Sequence, residues 1–309
     1  MAERAAMGRL RRFADSDLAY SFLHSPIAIV SAVVALAIIF GAVFAPLVAP
    51  YNPFDLATVS LLDASNPPAW IEGGDQAHLL GTDGQGRDVL SAILFGSRVS
   101  LLVGALSVVF AMVLGIGAGL LAGWRGGLID AFIMRSADVQ LSFPAILVAL
   151  LVDGIARSLL PHELQDRIAV WVLVVAIGLS GWVQFARTVR GSTLVERNKE
   201  YIQAARIIGV HPARIVLTHL LPNVMTPVLV IATIYLANAI ITEATLSFLG
   251  VGVPPTEPSL GTLIRVGNNF LFSGEWWITL FPSITLGLLI LSVNLLGDWV
   301  RDALNPRLR

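Results

Sequence analysis

The chain has 309 residues, 56% hydrophobic and only 13% charged, with a mean hydropathy of +0.78. Soluble domains carry about 25% charged residues, so this excess of apolar surface must face lipid. A net charge of −1 gives no bulk attraction to nucleic acid, and the lack of cysteine excludes disulfide scaffolds, thiolate metal sites and cysteine nucleophiles.

The segment before Ile27 is short and basic. The first charge-free run, Ile27 to Ala49, exceeds the roughly 7–15 residues of a signal-peptide core, so it reads as a retained anchor. From Pro50 to Gly96 the chain is rich in Pro, Gly, Asn and Asp, as an irregular loop would be. Within it, Gly81 to Asp88 has the glycines of a phosphate loop without the Gly-Lys-Ser/Thr ending, and no Walker motif occurs anywhere. It reads as a turn, with Asp88 capping the next helix.

The second span lies between Arg98 and Arg125. Its Gly115, Gly119 and Gly123 are spaced for close approach of a neighbouring helix. No strand precedes them, so a dinucleotide fingerprint is excluded. The third span is weak, because only about 14 residues between Asp138 and Asp153 are uncharged. It is extended back through Asp138, whose carboxylate is expected at the bundle interior or the interface. His162-Glu163 lacks the second histidine of a zinc-protease helix and reads as a loop pair. The fourth span lies between Arg167 and Arg187, the fifth between Arg214 and Glu243, entered near Pro222. A loop stiffened by Pro254, Pro255 and Pro258 precedes the sixth span, Trp276 to about Gly297. Beyond it, Asp298, Arg301 and Asp302 are spaced to pair with one another.

Arginine and lysine placement sets the orientation. With the N-terminus cytoplasmic, the inside segments hold Arg4, Arg9, Arg11, Arg12, Arg125, Arg135, Arg187, Arg190, Arg197, Lys199, Arg206, Arg214, Arg301, Arg307 and Arg309. The outside keeps Arg87, Arg98, Arg157, Arg167 and Arg265. Both termini then lie inside. No carboxylate or histidine falls clearly at mid-membrane, which argues against an ion-coupled carrier. An intramembrane enzyme would need a nucleophile–base or metal cluster in the spans, and no histidine is available there.

The longest inside stretch runs from about Arg187 to His219. Glu200 to Ile208 has good helix formers and no breaker, and Gly209 and Pro212 end it. Tyr201, Ala204, Ala205 and Ile208 form one stripe, with small residues at its centre. Such a helix could lie in a partner's groove, lie on the inner membrane surface, or pack on its own bundle.

Gln203-Ala204-Ala205, three residues, Gly209 and later Leu221-Pro222 resemble the "EAA" signature of permease subunits of binding-protein-dependent ABC importers. Gln203 stands where many members have Glu, and His219 where the general signature has Ile. Glu200-Tyr201, Ala204-Ala205-Arg206, Gly209 and His219 to Asn223 are more narrowly similar to the dipeptide/oligopeptide/nickel permeases. So are His78 to Asp83, Gly86 to Ser91, Gly96 to Leu101, Leu246 to Gly250 with Gly252, Pro254 and Pro255, and Asn294 with Gly297, Asp298, Arg301, Asp302 and Pro306. Glu257 to Gly261 and Asn305 depart from the family's common residues. The extra first span and the large outside loop resemble the second permease of a pair.

The resemblance implies an all-α polytopic membrane protein with six transmembrane helices and the type I ABC importer permease fold. Residues 1–97 would hold the cytoplasmic N-terminus, first span and outside loop. Residues 98–309 would form a five-helix core with a cytoplasmic coupling helix near 200–212. Glu200, Tyr201, Gln203, Ala204, Ala205, Arg206, Gly209 and Pro222 would dock an ATPase, with Ala204 and Ala205 at the groove floor. Partners would be a homologous permease, two ABC ATPases and an extracytoplasmic binding protein, in the bacterial cytoplasmic membrane. ATP and Mg would belong to the ATPases, with no catalytic, cofactor or metal site in this chain. The cargo would be di- or oligopeptides, with nickel chelates, glutathione or peptide-like compounds as alternatives. The rival class is an ion-coupled secondary transporter.

Overall fold

The computed structural model describes residues 17–55, 59–254 and 256–303. Arg4, Arg9, Arg11, Arg12, Pro255, Asn305, Pro306, Arg307 and Arg309 lie outside the described residues, as do the side chains of His162, Glu163, Asp166 and Arg167. In chain order the helices are α1 (Asp17–Leu23), α2 (Pro26–Val43), α3 (Val89–Arg125), α4 (Gly127–Leu141), α5 (Ala145–Leu159), α6 (His162–Glu196), α7 (Glu200–Ile207), α8 (Pro212–Phe248), α9 (Leu260–Asn268) and α10 (Trp277–Ala303). No strand forms among the described residues. Five helices are long and apolar enough to cross a membrane, and six spans result if α4 and α5 count as one.

α3 and α6 form the most extensive helix pair, and the glycine stripe explains it. A Cβ on Gly115 would lie 2.4 Å from Phe185 Cβ, one on Gly119 2.5 Å from the Ala186 carbonyl oxygen, and one on Gly123 2.7 Å from Thr193. Only glycine allows that approach, and the gain is dispersion contact in a medium that gives no hydrophobic drive. On another face of α6, Gly181 receives the ring of Tyr235 from α8, whose hydroxyl donates to the Ile177 carbonyl (2.7 Å). α2 packs against α10 and α3.

The weak third span is a broken one. α4 and α5 meet at 96° across Ser142, Phe143 and Pro144. Pro144 disfavours a helical conformation at Phe143, so the helix stops there. Gln140 refastens the break to α6: its amide donates to the Leu179 carbonyl and its carbonyl oxygen accepts from Trp182 Nε1 (2.6 Å).

Two spans extend beyond their expected ends. α6 begins directly after Pro161, taking in the expected loop pair His162-Glu163, and runs past Arg187 to Glu196. Arg187 pairs with Asp138 (2.6 Å) and Arg190 with Asp130, so α4 neutralises the charges at which the span was expected to end. α8 begins at Pro212 rather than near Pro222, and Ile215–Leu220 forms a π-helical stretch. Pro222 follows it and has no N–H to give to a helical ladder. Asp298, Arg301 and Asp302 form no ion pair with one another.

The loop before α3 folds back onto the bundle. Asp88 caps α3 through Ser91 N–H (2.8 Å), as its position predicts, and also meets His78 Nδ1 (3.2 Å). Trp277 Nε1 donates to the Thr82 carbonyl (3.0 Å), and Ser65 Oγ donates to Glu275 (2.9 Å). Gly86, at φ +79, passes so close to Ser60 that an added Cβ would lie 2.1 Å from its carbonyl oxygen.

Candidate functional site: the helix between α6 and α8

α7 links two of the spans. Lys199 stands at its N-cap position and Glu200 in its first turn. It ends where glycine is required. Gly209 has φ +78, its N–H donates to the Arg206 carbonyl (3.1 Å), and Val210 N–H reaches back to the Ala205 carbonyl (3.0 Å). That paired closure needs a left-handed residue after the C-cap. Nothing lies within 4 Å of a Cβ built on Gly209, so only the backbone restricts substitution there. Gly209→Ala is expected to cost about 1 kcal/mol, the penalty of a left-handed alanine. Faster hydrogen exchange at the Val210 amide checks it.

The helix divides its apolar residues between two faces. Ile202 and Ala205 are buried and cluster with Ile215, Trp124 and Val210 of the same chain. Ala204, Ile207 and Ile208 point away, and the two isoleucines are 85% and 76% exposed. The stripe of Tyr201, Ala204, Ala205 and Ile208 is therefore split: Ala205 packs inward and Ala204 stays accessible.

The polar residues are divided too. Arg206 lies over the Trp124 ring, 4.4 Å from its centroid, a cation–π contact to the end of α3. The Tyr201 hydroxyl donates to Glu196 (2.7 Å) and accepts from Asn223 Nδ2 (2.9 Å), tying α6, α7 and α8 together. Partial burial, with the hydrogen bond to Glu196, raises the Tyr201 phenol above its ordinary range, so it stays neutral at physiological pH. Glu200, Gln203 and Pro222 are exposed. A groove of about 520 Å³ runs alongside, between Leu121 and Trp124 of α3 and Val216 and Leu217 of α8.

All eight expected docking residues thus lie on or beside α7, but in two roles. Ala205, Arg206 and Tyr201 fasten the helix to its own spans, and Gln203 and Ala204 remain free. The expected set omitted Ile207, which a stripe based on Tyr201 passes over. Its signal was an isoleucine pair beside a helix-ending glycine, too much apolar surface for one buried face. Among the described residues no three His, Asp or Glu side chains cluster as metal ligands.

The described residues form a bundle of apolar spans with a short helix that is fastened to three of them and leaves one face free, an architecture that suits a multi-pass transport permease. Residues 115–309 match the family described as binding-protein-dependent transport system inner membrane component, and residues 16–68 match the N-terminal TM domain of oligopeptide transport permease C. The chain belongs to the binding-protein-dependent transport system inner membrane component family. It is 38% identical to the di/tripeptide transport system permease protein DppC of Pseudomonas aeruginosa, over 94% of this chain and 91% of that one. It is 39% identical to the dipeptide transport system permease protein DppC of Escherichia coli K12, over 91% and 89%. Its fold resembles that of a chain in an inward-facing MetNI methionine ABC transporter, with TM-score 0.53, 21% identity, and 69% of this chain and 96% of that one covered.

Proposed function

We propose that this protein is one of two permease subunits of an ABC importer that moves di- or oligopeptides across the bacterial cytoplasmic membrane. Both termini would face the cytoplasm, and so would α7. Residues 1–97 would supply the first span and the outside loop, and residues 98–309 the five-helix core. Two ATPases, carrying ATP and Mg, would dock on the permease pair, and a binding protein would deliver cargo outside.

One observation carries the reading: α7 is fastened to α3, α6 and α8 while Gln203, Ala204, Ile207 and Ile208 remain free. A partner gripping the free face would move α7, and the three spans would follow as a rigid unit. Closure of the ATPase dimer would so switch the pathway between inward-open and outward-open states. The peptide class is supported by the relatives' names.

Reconstitution of the permease pair with its two ATPases and the binding protein tests it. Binding protein loaded with a dipeptide is expected to stimulate ATP hydrolysis and ATP-dependent uptake. Stimulation only by nickel chelates, glutathione or peptide-like compounds would replace the cargo class. Uptake driven by an ion gradient without ATP would refute the importer reading.

A further inference from the structure

The glycine-rich turn before α3 holds an arginine in place. Asp83 Oδ1 accepts the Gln85 and Arg87 N–H groups (2.9 and 3.0 Å), and the Asp83 N–H donates to the Arg87 carbonyl (2.9 Å). Asp83 Oδ2 then takes Arg87 Nε at 2.7 Å. One carboxylate thus fixes both the turn and the side chain on it, and Arg87 is only 9% exposed. The outer edge of the guanidinium is left open. Among the described residues Nη1 and Nη2 have no hydrogen-bond partner, and neither nitrogen is sealed from the surface. A nearly buried fork of donors, pinned on one side and unpaired on the other, is built to receive an acceptor.

Arg87 lines a pocket of about 700 Å³, with Phe54, Val59, Leu61, Gln85 and Thr256 around it. With Nε turned to Asp83, the Nη edge is the part the pocket meets. Every described lining residue comes from the loops before α3 or between α8 and α9, and none from a span. The occupant is therefore presented from beyond the ends of the spans. The described lining holds no carboxylate, so a zwitterionic cargo would leave its ammonium group unpaired. Leu61 and its neighbour Leu62 are 77% and 95% exposed, and call for an apolar cover that a small ion cannot give.

We infer that Arg87 anchors an acidic side chain, flanked by apolar residues, on the extracytoplasmic binding protein. The inference rests on the importer reading above, which puts this loop outside. The partner's carboxylate meets Nη1 and Nη2 end-on, the two-pronged geometry that arginine offers. Phe54 and Val59 surround its stem, and Leu61 and Leu62 meet the apolar flank. An arginine fixed in a largely desolvated pocket is the kind of contact that carries much of an interface's energy.

Nanodiscs holding the permease pair and its two ATPases test this, with dipeptide-loaded binding protein titrated in and ATP hydrolysis followed. Q85E and T256E, from the two loops that line the pocket, each place a carboxylate there and occupy the fork. The half-saturating concentration of binding protein is expected to rise about tenfold in each, the size of one lost charge-assisted hydrogen bond. E72Q, exposed on the same loop outside the pocket, is expected to match the wild type. A photoreactive benzoylphenylalanine in place of Leu62 is expected to cross-link to the binding protein within a few residues of an Asp or Glu. Replacing that acid by its amide should raise the half-saturating concentration alike and add nothing further in Q85E, the mark of a shared contact. Wild-type titrations in both Q85E and T256E would overturn the inference, as would a cross-link only to the second permease, an ATPase or lipid. A wild-type complex that loaded binding protein does not stimulate would refute the importer reading, and the inference with it. Normal stimulation of the wild type beside unaltered Q85E and T256E refutes the inference alone.

Discussion

Replacing Ile207 and Ile208 together by aspartate is expected to release the ATPase from an otherwise intact permease. Both side chains are largely exposed and hold nothing in their own chain, so the fold should lose only helix propensity, about 0.5 kcal/mol per residue. In a docked complex two aspartates would sit desolvated where a groove expects apolar surface. A weakening of association by at least about 100-fold, close to 2.7 kcal/mol, is expected. ATP-dependent uptake should fall to background, while the amount of permease and its melting midpoint stay at wild-type values. Co-purification of the ATPase with the permease measures the first, and retained binding would sink the docking assignment. Ala205→Trp is a poorer test. Ala205 is packed among Ile202, Ile215 and Trp124, so a tryptophan there deforms the cluster before any partner is involved. Lost uptake in that variant would not separate docking from folding.

Much of this arrangement was legible in the sequence where a single local rule decides. Gly115, Gly119 and Gly123 read as a packing stripe because their spacing alone puts them on one face. Asp88 read as a cap and Gly209 as a stop because each acts on its own few residues. The third span read as weak but not as broken. Its uncharged stretch is bounded by Asp138 and Asp153, which pair with Arg187 and Arg157, and a hydropathy window cannot report the 96° bend at Pro144 inside it. The fourth span was ended at Arg187 because a window counts a paired charge like a bare one, and its partner Asp138 lies 49 residues earlier. The division of α7 into a bound and a free face was illegible for a related reason. Ala204 and Ala205 are identical in type, and only Trp124 and Ile215, brought by two other helices, choose between them.

Glu243 shows the same dependence on distant residues, and its replacement by alanine is expected to loosen the end of the bundle opposite α7. The carboxylate is fully buried where α3, α8 and α9 meet. Ser100 Oγ donates to its Oε2 and Ser247 Oγ to its Oε1, both at 2.7 Å. Ser100 in turn accepts the Leu260 N–H (3.2 Å), so the first turn of α9 is held through the same group. The site has no slack: a Cβ on Gly261 would lie 2.4 Å from the Ala244 carbonyl oxygen. Alanine at 243 would leave the hydroxyls of Ser100 and Ser247 unpaired in a dry site and open a cavity beside them. Each unmade hydrogen bond costs about 1–3 kcal/mol, so a total near 3 kcal/mol is expected. That corresponds to a fall of roughly 6–12 °C in the melting midpoint of the purified protein. Glu243→Gln should fall less, because its amide keeps one acceptor for one of the two serines. Amide exchange at Gly252, Val253, Ser259 and Leu260 should rise in the alanine variant and stay unchanged in α7, which lies at the other end of α8. An unchanged midpoint with unchanged exchange would mean that the carboxylate merely fills space, and that close packing around Gly261 alone holds α9 in place.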